Sequence, residues 1–331
     1  MPTVGVYSSH GVTLENLTIE NGAPGLLVTQ QSQVVLRNSV VQKNAPNGVD
    51  VLIGSVLEVD GGSIIDNQRN GLRTDSSVVW VGPERLFIAR NLGGAGLNVV
   101  ASDIEVNNGA LTVEDNNTAV SVVSGRLTLF GPATGDGVIF QNNKAGLNFV
   151  NASAFRVASA FVIRNNGQIG IRMAGSSAQI GSPGVIEGHS INGVSVGSLS
   201  RFTITGGMTR IQNNGNSTNP ERGGIRLDGG ASLDATNITI SENGGFGLLA
   251  IQNSRMTIGD ATISNNSDAG VTVRRLSSAH FDNPPVISSS GRASIVCDTT
   301  SLVSGNLTGV AGIDCSRIER EVGPPHDGTV H

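Results

Sequence analysis

The sequence contains few aromatic and charged residues, and this scarcity excludes several classes of protein. Aromatic residues make up 3% and charged residues 14% of the 331 residues, whereas 38% are hydrophobic. A chain with ordinary apolar content and little charge is not of the disordered type. The formal net charge of −5 provides no basic surface, so we expect no nucleic acid partner.

Long apolar runs are also missing. A run of about 18 apolar residues, the minimum for a membrane-spanning helix, does not occur. The amino-terminal stretch MPTVGVYSSHGVTL has no basic segment followed by an apolar one. It therefore does not predict a signal peptide, although a trimmed mature protein would look the same.

Cysteine is nearly absent. Cys297 and Cys315 are the two cysteines, and they lie close together near the carboxyl end. They indicate either a local disulfide, which favours an oxidising compartment, or two buried free thiols. In a regular repeat these positions would lie far apart along the strand. A disulfide would then require the chain to leave the repeat and fold over its end.

Glycine, in contrast, is abundant and regularly spaced. The chain has 45 glycines, about twice the average usage. A turn position that is mostly glycine recurs along the chain, and seven of its eleven intervals are 23 residues long. The turn positions are Gly25, Gly48, Gly71, Gly96, Ala119, Gly146, Gly170, Gly193, Gly224, Gly247, Gly270 and Ala293. A fixed period of this length predicts a repeat architecture.

Each repeat contains three short strand patterns. After the turn position, two inward apolar residues flank one outward residue, as at Val49 and Val51, and this period of two indicates a strand. Three strands in so few residues leave no room for separate hairpins, but they can form one rung of a coil whose strands pair with those of neighbouring rungs. We therefore predict an all-β, right-handed parallel β-helix, a solenoid of about twelve rungs with three short strands per rung.

Two polar residue types recur at fixed places in the repeat, and we interpret both as turn chemistry. Glycine at the turn is predicted to supply a positive φ. Asparagine side chains are predicted to bond between rungs as a ladder, and serines to do the same at another corner. The asparagines are Asn44, Asn67, Asn165, Asn243 and Asn266, and the serines are Ser32, Ser55, Ser153, Ser177, Ser200, Ser254 and Ser277.

From Val4 to about Cys315 this pattern resembles the right-handed parallel β-helix repeat proteins of the pectate-lyase-like superfamily. The resemblance implies a β-helix domain over residues 1–315 and leaves a polar tail over residues 316–331. The family includes lyases, hydrolases, epimerases, phage tailspikes and adhesins, so the resemblance implies a fold and no single activity. The first rung has no capping helix, so we expect an upstream domain or a partner to cover that end.

Three insertions interrupt the repeat, at residues 82–95, 130–137 and 213–223. Insertions on a repeat scaffold emerge as loops and often carry function. The longest, 213–223, is expected to overhang the first strands of neighbouring rungs.

Outward residues of the first strand are expected to form two rows that cross the rungs. One row is Leu27, Asp50, Arg73, Asn98, Ser121, Asn148, Arg172, Ser195, Arg226, Leu249 and Thr272, and the other includes Thr29, Asp75, Asp228 and Arg274. Because rungs are about 4.8 Å apart, Asp50, Arg73 and Asp75 should be neighbours and could bind substrate. The resemblance implies Ca²⁺ and a basic residue on such a face. Two aspartates are few for an ion that takes about six to eight oxygens, so an ion-pair patch is the alternative.

A second candidate site surrounds the longest insertion. Its predicted catalytic residues are Arg172, Arg226, Asp228, Glu221 and His189, with Arg222 as a further substrate-binding residue. Arginine forks match the carboxylates of acidic sugars. Glu221 and Asp228 could act as paired acid and base at a separation of about 5–9.5 Å. The alternative is a solvated polar face.

One stretch near His189 resembles a fragment of a polygalacturonase signature. GHSINGVSVGS, residues 188–198, contains a Gly-His pair followed by a strand ending in Gly-Ser. Three residues separate His189 from Gly193 where the family has a Gly-His-Gly, and the paired catalytic aspartates are absent. These departures argue against polygalacturonase hydrolysis.

Taken together, these features predict a secreted or cell-surface protein that contacts an extended polysaccharide along its first-strand face. If it is an enzyme, it is expected to be a polysaccharide lyase, a glycoside hydrolase or an epimerase. The alternative is a non-enzymatic β-helix, such as an adhesin, a surface spacer or a fragment of a larger secreted protein. No cofactor is predicted, and the case for Ca²⁺ is weak.

Overall fold

The chain winds so that the same strand returns to the same place on every turn. The computed structural model describes residues 1–131, 137–215, 221–289, 293–315 and 318–320, and the regular elements in these ranges are β-strands. A sheet of fourteen parallel strands, here called the first sheet, follows chain order from one end of the described stack to the other. Its strands are Val4–Tyr7, Leu26–Thr29, Val49–Leu52, Leu72–Asp75, Ala95–Val100, Thr118–Val123, Ala145–Val150, Ile169–Ala174, Asn192–Gly197, Gly223–Leu227, Phe246–Ala250, Val271–Val273, Ile295–Cys297 and Ile313–Asp314.

A second sheet forms the other two faces of the coil, here called the second face and the third face. Strands on the second face are Val12–Glu15, Val78–Val81, Asp103–Asn107, Arg126–Phe130, Ala154–Val157, Ser177–Ile180, Arg201–Ile204, Ser278–Phe281, Leu302–Gly305 and Ile318–Arg320. Strands on the third face are Thr18–Glu20, Leu86–Ala89, Leu111–Glu114, Val138–Gln141, Phe161–Arg164, Gly184–Glu187, Thr209–Gln212 and Val286–Ser289. Longer strands that continue around the corner and belong to both faces are Gln33–Gln42, Val56–Ile65, Ser232–Ser241 and Arg255–Asn266.

Strand pairing confirms the predicted winding. Val49 pairs with Leu72, and Leu72 pairs with Leu97, in parallel and without a shift of register. The described stack has about 13 turns. This agrees with the predicted count of about twelve, and the first-sheet strands Val4–Tyr7 and Ile313–Asp314 lie outside the counted series of turn positions. In the described ranges the chain forms no helix with the length and apolarity that a membrane crossing requires.

The interior of the coil is a continuous apolar core. Strand residues alternate between inside and outside, so Val49 and Val51 are fully buried while the residue between them belongs to the outer row. Phe149 and Phe155 stack in the core with their ring centroids 4.8 Å apart. Burial of each large apolar side chain contributes about 1.5–3 kcal/mol, and every turn repeats this contribution.

A ladder of asparagines runs along the corner that leads into the first sheet. The backbone N–H and the side-chain amide of Asn67 both donate to Asn91 Oδ1, at 3.1 and 3.0 Å. The asparagines in this ladder are Asn44, Asn67, Asn91, Asn116, Asn143, Asn166, Asn214, Asn243 and Asn266. The predicted ladder is confirmed, with one correction: Asn166 occupies the buried position, and Asn165 is exposed at a φ of 53°.

The turn glycines leave space for this ladder and do not supply a positive φ, so that part of the prediction is wrong. None of the turn glycines has a left-handed φ. A Cβ at Gly71 would lie 2.7 Å from Ile88 Cγ2, 2.8 Å from the oxygen of Gly96 and 2.9 Å from Asn91 Nδ2. The left-handed position instead belongs to the residue before the ladder residue, as at Arg90, whose φ is 56°.

The turn position nearest the carboxyl end also needs correction. Ser294, and not Ala293, occupies the place equivalent to Gly270, because Val271 N–H donates to the oxygen of Ser294 at 2.9 Å and Val271 pairs with Ile295.

A serine ladder follows the corner between the first sheet and the second face, as predicted. The backbone N–H of Ser32 donates to Ser55 Oγ at 3.2 Å, and that of Ser55 donates to Ser77 Oγ at 3.2 Å. In one rung the ladder residue is the buried Ser176, whose N–H donates to Ser200 Oγ at 3.1 Å. The predicted member Ser177 is exposed on the second face.

A disulfide joins Cys297 and Cys315 across the last two strands of the first sheet. Their Cα atoms are 4.8 Å apart, and Val296 next to Cys297 pairs with Asp314 next to Cys315. The last turn is shortened so that the cysteines are 18 residues apart and stack directly. The expectation that a disulfide would need the chain to leave the coil is therefore wrong.

Parts of the predicted insertions and tail belong to the regular coil. The insertion at 82–95 contains the third-face strand Leu86–Ala89. Ile318–Arg320 pairs with Leu302–Gly305, so the coil continues past residue 315. Residues 132–136 and 216–220 of the other insertions, and the tail beyond residue 320, lie outside the described residues.

We predict that Asn116→Ala lowers the free energy of unfolding by about 2–3 kcal/mol. The N–H and the amide of Asn91 both donate to Asn116 Oδ1 at 2.9 Å, and both would lose a buried acceptor. Urea denaturation followed by circular dichroism measures the change. The control is Asn283→Ala, whose exposed side chain bonds to Asp260 and whose loss should cost less than about 0.5 kcal/mol. Equal losses in the two variants would contradict a stabilising ladder.

Candidate functional site

The first sheet presents the predicted rows of outward residues. Cα partners run from Leu27 to Asp50 and Arg73, and from Arg172 through Ser195 to Arg226. The alignment follows from unshifted parallel pairing, which places each outward residue over its equivalent in the next rung. The predicted rows are therefore confirmed, and their chemistry can be read rung by rung.

Asp50, Arg73 and Asp75 are neighbours, as predicted. Arg73 Nη2 lies 3.3 Å from Asp75 Oδ2, and both side chains are about one third exposed. Asp50 is buried and accepts a hydrogen bond of 2.8 Å from Asn47 Nδ2. Burial raises the pKa of Asp50, while the Asn47 bond and the charge of Arg73 act in the opposite direction. Proximity is thus established, and substrate binding by this patch stays a prediction.

Arg226, Asp228 and Glu221 form a second cluster. Arg226 Nη2 lies 3.1 Å from Asp228 Oδ2, and Arg226 Nη1 lies 3.8 Å from Glu221 Oε2. One guanidinium therefore holds both predicted acid–base residues. Its charge is compensated from two sides, which weakens its attraction for the carboxylate of a ligand. Arg222 follows Glu221 in the chain and is half-buried.

Glu221 also marks where the longest insertion returns to the coil. It lines a recess of about 140 Å³ with Phe246, Leu249, Thr272 and Arg274 of the next rungs. Glu221 therefore lies beside first-sheet strands of the next rungs, and the predicted overhang of the whole insertion stays a prediction. Its residues 216–220 lie outside the described ranges.

Arg172 lies apart from this cluster. It is two rungs from Arg226, a Cα separation of about 10 Å. Its side chain is exposed, and the described residues provide no ion pair for it. Arg172 therefore presents an uncompensated positive charge on the first sheet.

A recess of about 240 Å³ opens beside Arg172, and we call it the Arg172 recess. Its polar lining includes Thr118, Ser121, Asn148 and Gln168. Asn148 Oδ1 is buried without a hydrogen-bond partner among the described residues. Such an atom is costly unless something bonds to it. Sequence reasoning placed Asn148 in the outer row but assigned it no role, because a free amide oxygen cannot be recognised from residue spacing.

His189 is inside the corner ladder, which corrects its predicted place beside the first-sheet residues. It is 1% exposed, and its backbone N–H donates to Asn214 Oδ1 at 3.1 Å. Its ring nitrogens lie 3.0 Å from the oxygen of Asn166 and 3.2 Å from the oxygen of Ile163. The ring fills the place of a ladder asparagine and is shielded from any ligand on the surface.

Burial lowers the pKa of His189 below its usual value, and the bonds to the two backbone carbonyls oppose this effect. Unlike an asparagine, the histidine offers no Oδ1 to the preceding Asn166. The ladder is therefore interrupted at this rung.

No group of three or more His, Cys, Asp or Glu side chains in the described part of the chain is arranged to hold a metal ion.

A family comparison agrees with this architecture. The family model described as right-handed beta helix region matches residues 3–162 and 157–308. The chain therefore belongs to the right-handed β-helix family. The fold supports, in general terms, a carbohydrate-related protein of the pectate-lyase-like kind. No curated protein matches the sequence.

We predict that His189→Asn raises the free energy of unfolding at neutral pH by about 1 kcal/mol. An asparagine would supply the missing Oδ1 acceptor to Asn166, as Asn243 does for Asn214. His189→Ala is the control, because it removes the ring contacts without adding the acceptor, and it should destabilise. Urea denaturation compares the three proteins, and a destabilised His189→Asn would contradict the interrupted ladder.

The same variant isolates a pH effect. An unfolded histidine titrates near about 6.5, whereas the folded pKa of His189 is lower. Between these values the unfolded chain binds a proton that the folded chain does not, so stability falls as the pH decreases below about 6.5. We expect the wild type to lose more stability than His189→Asn between pH 7.5 and pH 5. Parallel losses would show that His189 does not titrate in this way.

Proposed function

We propose that this protein is extracellular and binds an extended acidic polysaccharide along the first sheet, with the Arg172 recess as a principal contact. The observation that carries the proposal is an exposed arginine, without an ion pair among the described residues, beside a recess lined by hydroxyl and amide side chains.

The chemistry of the recess suits an acidic sugar. A guanidinium presents paired donors in the geometry of a carboxylate. Thr118, Ser121 and Gln168 offer hydroxyl and amide groups for sugar hydroxyls. A ligand with both carboxylates and hydroxyls uses all of these groups, whereas a purely apolar or purely anionic ligand does not.

The long first sheet suits a linear polymer. Outward side chains recur at each rung in unshifted register, so contacts can repeat along the axis at about 4.8 Å. Several weak contacts on one chain then reinforce one another. The disulfide between Cys297 and Cys315 supports a secreted or cell-surface location, where disulfides persist.

An enzymatic form of the proposal locates catalysis at Arg226, Asp228 and Glu221. Cleavage or epimerisation of a uronate needs a base within reach of the sugar. Asp228 is the acidic residue of the first-sheet rows in this cluster, and Glu221 lies on the other side of Arg226. The enzyme would then be a lyase, a glycoside hydrolase or an epimerase.

The second candidate is a non-enzymatic adhesin or spacer, and the same cluster favours it. Both carboxylates contact the guanidinium of Arg226. The 3.1 Å contact engages Asp228 in an ion pair with Arg226, whereas the 3.8 Å contact with the exposed Glu221 is weak.

We predict that Arg172→Ala weakens binding of polygalacturonate or alginate at least tenfold, about 1.4 kcal/mol. The lost group is the one uncompensated guanidinium beside the Arg172 recess. Calorimetry with both uronates and with neutral dextran measures the effect. Arg164→Ala removes an arginine that is also exposed, on the third face, and should bind like the wild type. Undetectable uronate binding by the wild type, or equal binding by Arg172→Ala, would contradict the proposal.

Product formation separates the enzymatic and non-enzymatic forms. If the protein is an enzyme, incubation with uronic-acid and neutral polysaccharides should release unsaturated or reducing ends or invert the sugar, and Arg226→Ala should abolish this activity while leaving the fold intact. Binding without any product from the whole panel supports the second candidate.

A further inference from the structure

A groove on the second face has chemistry that the first-sheet rows do not share. It has a volume of about 730 Å³ and crosses the strands Arg126–Phe130, Ala154–Val157, Ser177–Ile180 and Arg201–Ile204. We call it the second-face groove. It is three times the volume of the Arg172 recess, and it lies on another side of the coil.

Two rows of side chains build this groove. In the first row, Arg126, Ala154, Ser177 and Arg201 occupy one position in successive rungs. Ala154 and Ser177 are small and form a low floor between the two arginines. The Cα atoms of the arginines are three rungs apart, a distance of about 14 Å. The depression is therefore a direct result of residue size along the row.

The second row supplies polar groups beside this floor. It consists of Glu105, Thr128, Arg156, Gln179 and Thr203. The guanidinium of Arg156 lies over the ring of Phe130, 5.5 Å from its centroid. A cation–π contact of this kind holds the side chain in place, so the charge of Arg156 is positioned at the groove.

Three arginines lie along the groove, from Arg126 in the rung next to Glu105 to Arg201 in the rung farthest from it. Arg156 and Arg201 have no ion pair within the described residues, and Arg126 lies 3.9 Å from Asp103 in an exposed pair, which is weak. Asp103 and Glu105 precede the arginines, and Asp234 follows Thr203 in the rung beyond them. The groove is therefore amphoteric, with arginines between acidic groups.

This distribution favours one class of ligand. A nucleic acid or another uniformly anionic polymer would meet repulsion from Glu105. A peptide could not add as a strand, because the strands here are paired on both sides. A short acidic sugar satisfies both kinds of group, since its carboxylates can bind the arginines and its hydroxyls can donate to Glu105 and bond with Ser177 and Gln179.

We propose that the second-face groove is a binding site for an acidic oligosaccharide, held by Arg156 and Arg201 and separate from the Arg172 recess. The site does not depend on the first-sheet proposal, because the two surfaces share no residue.

Trp80 offers a local optical probe of this groove. It is the single tryptophan of the chain, it is 38% exposed, and its Cα pairs with Glu105 at the end of the groove. Ligand in the second-face groove should change its fluorescence, and ligand in the Arg172 recess should not.

The experiment titrates the full chain with trisaccharides of galacturonate, guluronate and glucuronate, with calorimetry as the deciding measurement and Trp80 fluorescence to locate the ligand. The double variant Arg156→Ala/Arg201→Ala should lose at least tenfold in affinity for the trisaccharide that the wild type binds. Arg255→Ala is the matched control, because Arg255 continues the same row two rungs beyond Arg201 and outside the groove. Arg172→Ala should also bind this trisaccharide at the second-face groove as the wild type does.

The outcomes separate the two sites. If the double variant loses fluorescence-detected binding and Arg172→Ala does not, the second-face groove is supported. If Arg172→Ala loses binding and the double variant does not, the proposal is overturned and the first-sheet site is supported. Absence of saturable heat with every trisaccharide, or equal affinities in the double variant and the wild type, also overturns the proposal. Hexaglutamate serves as a comparator, and if it binds as tightly as the best trisaccharide, the assignment to a sugar is wrong.

Discussion

The structure depends on how closely successive rungs approach at the corner before the first sheet. There, one amide oxygen receives two N–H groups from the rung below, as Asn91 Oδ1 does from Asn67. Glycine at the adjacent turn position leaves room for the amide, since a Cβ at Gly71 would be 2.9 Å from Asn91 Nδ2. At Ala119 a methyl group occupies the turn position, and the ladder bond from the Asn116 N–H to Asn143 Oδ1 still forms at 2.9 Å. Glycine therefore favours the close approach of the rungs, and the ladder bonds hold successive strands in register.

Fixed register decides the surface chemistry. Because equivalent positions lie over one another, each surface is defined by the residues of one row. A substitution of an outward residue in one rung alters a local site and leaves the stacking of the rungs unchanged. Arg172 and Arg226 show the consequence. They occupy the same row, yet Arg226 is compensated by Asp228 and Glu221 while Arg172 is not. The same row therefore contains an ion-paired cluster and an open cationic recess, and the difference is made mainly by Asp228, at 3.1 Å from Arg226, with Glu221 at 3.8 Å.

The fold could be predicted from the sequence because its information is periodic. The spacing of Gly48 and Gly71 predicts the rung, and strand alternation predicts the rows. Spacing could not show which of two adjacent asparagines enters the ladder. Asn166 has the ladder position, and Asn165 has the left-handed backbone conformation. His189 was misplaced for a related reason, since a polar side chain in a motif-like stretch can also serve a buried hydrogen-bond network. The second-face groove was not predicted, because it results from small side chains between two arginines of one row. A search for reactive residues does not detect differences in side-chain size.

The pairing of Cys297 with Cys315 has a consequence for the two first-sheet strands that carry these residues. Solenoid layers contact only their immediate neighbours, so a layer is held to the next one by the contacts of a single interface. At this interface a covalent bond adds to the hydrogen bonds and apolar contacts. Separation of these two layers is therefore a chemical event as well as a conformational one, because the bond must be reduced before the strands can move apart.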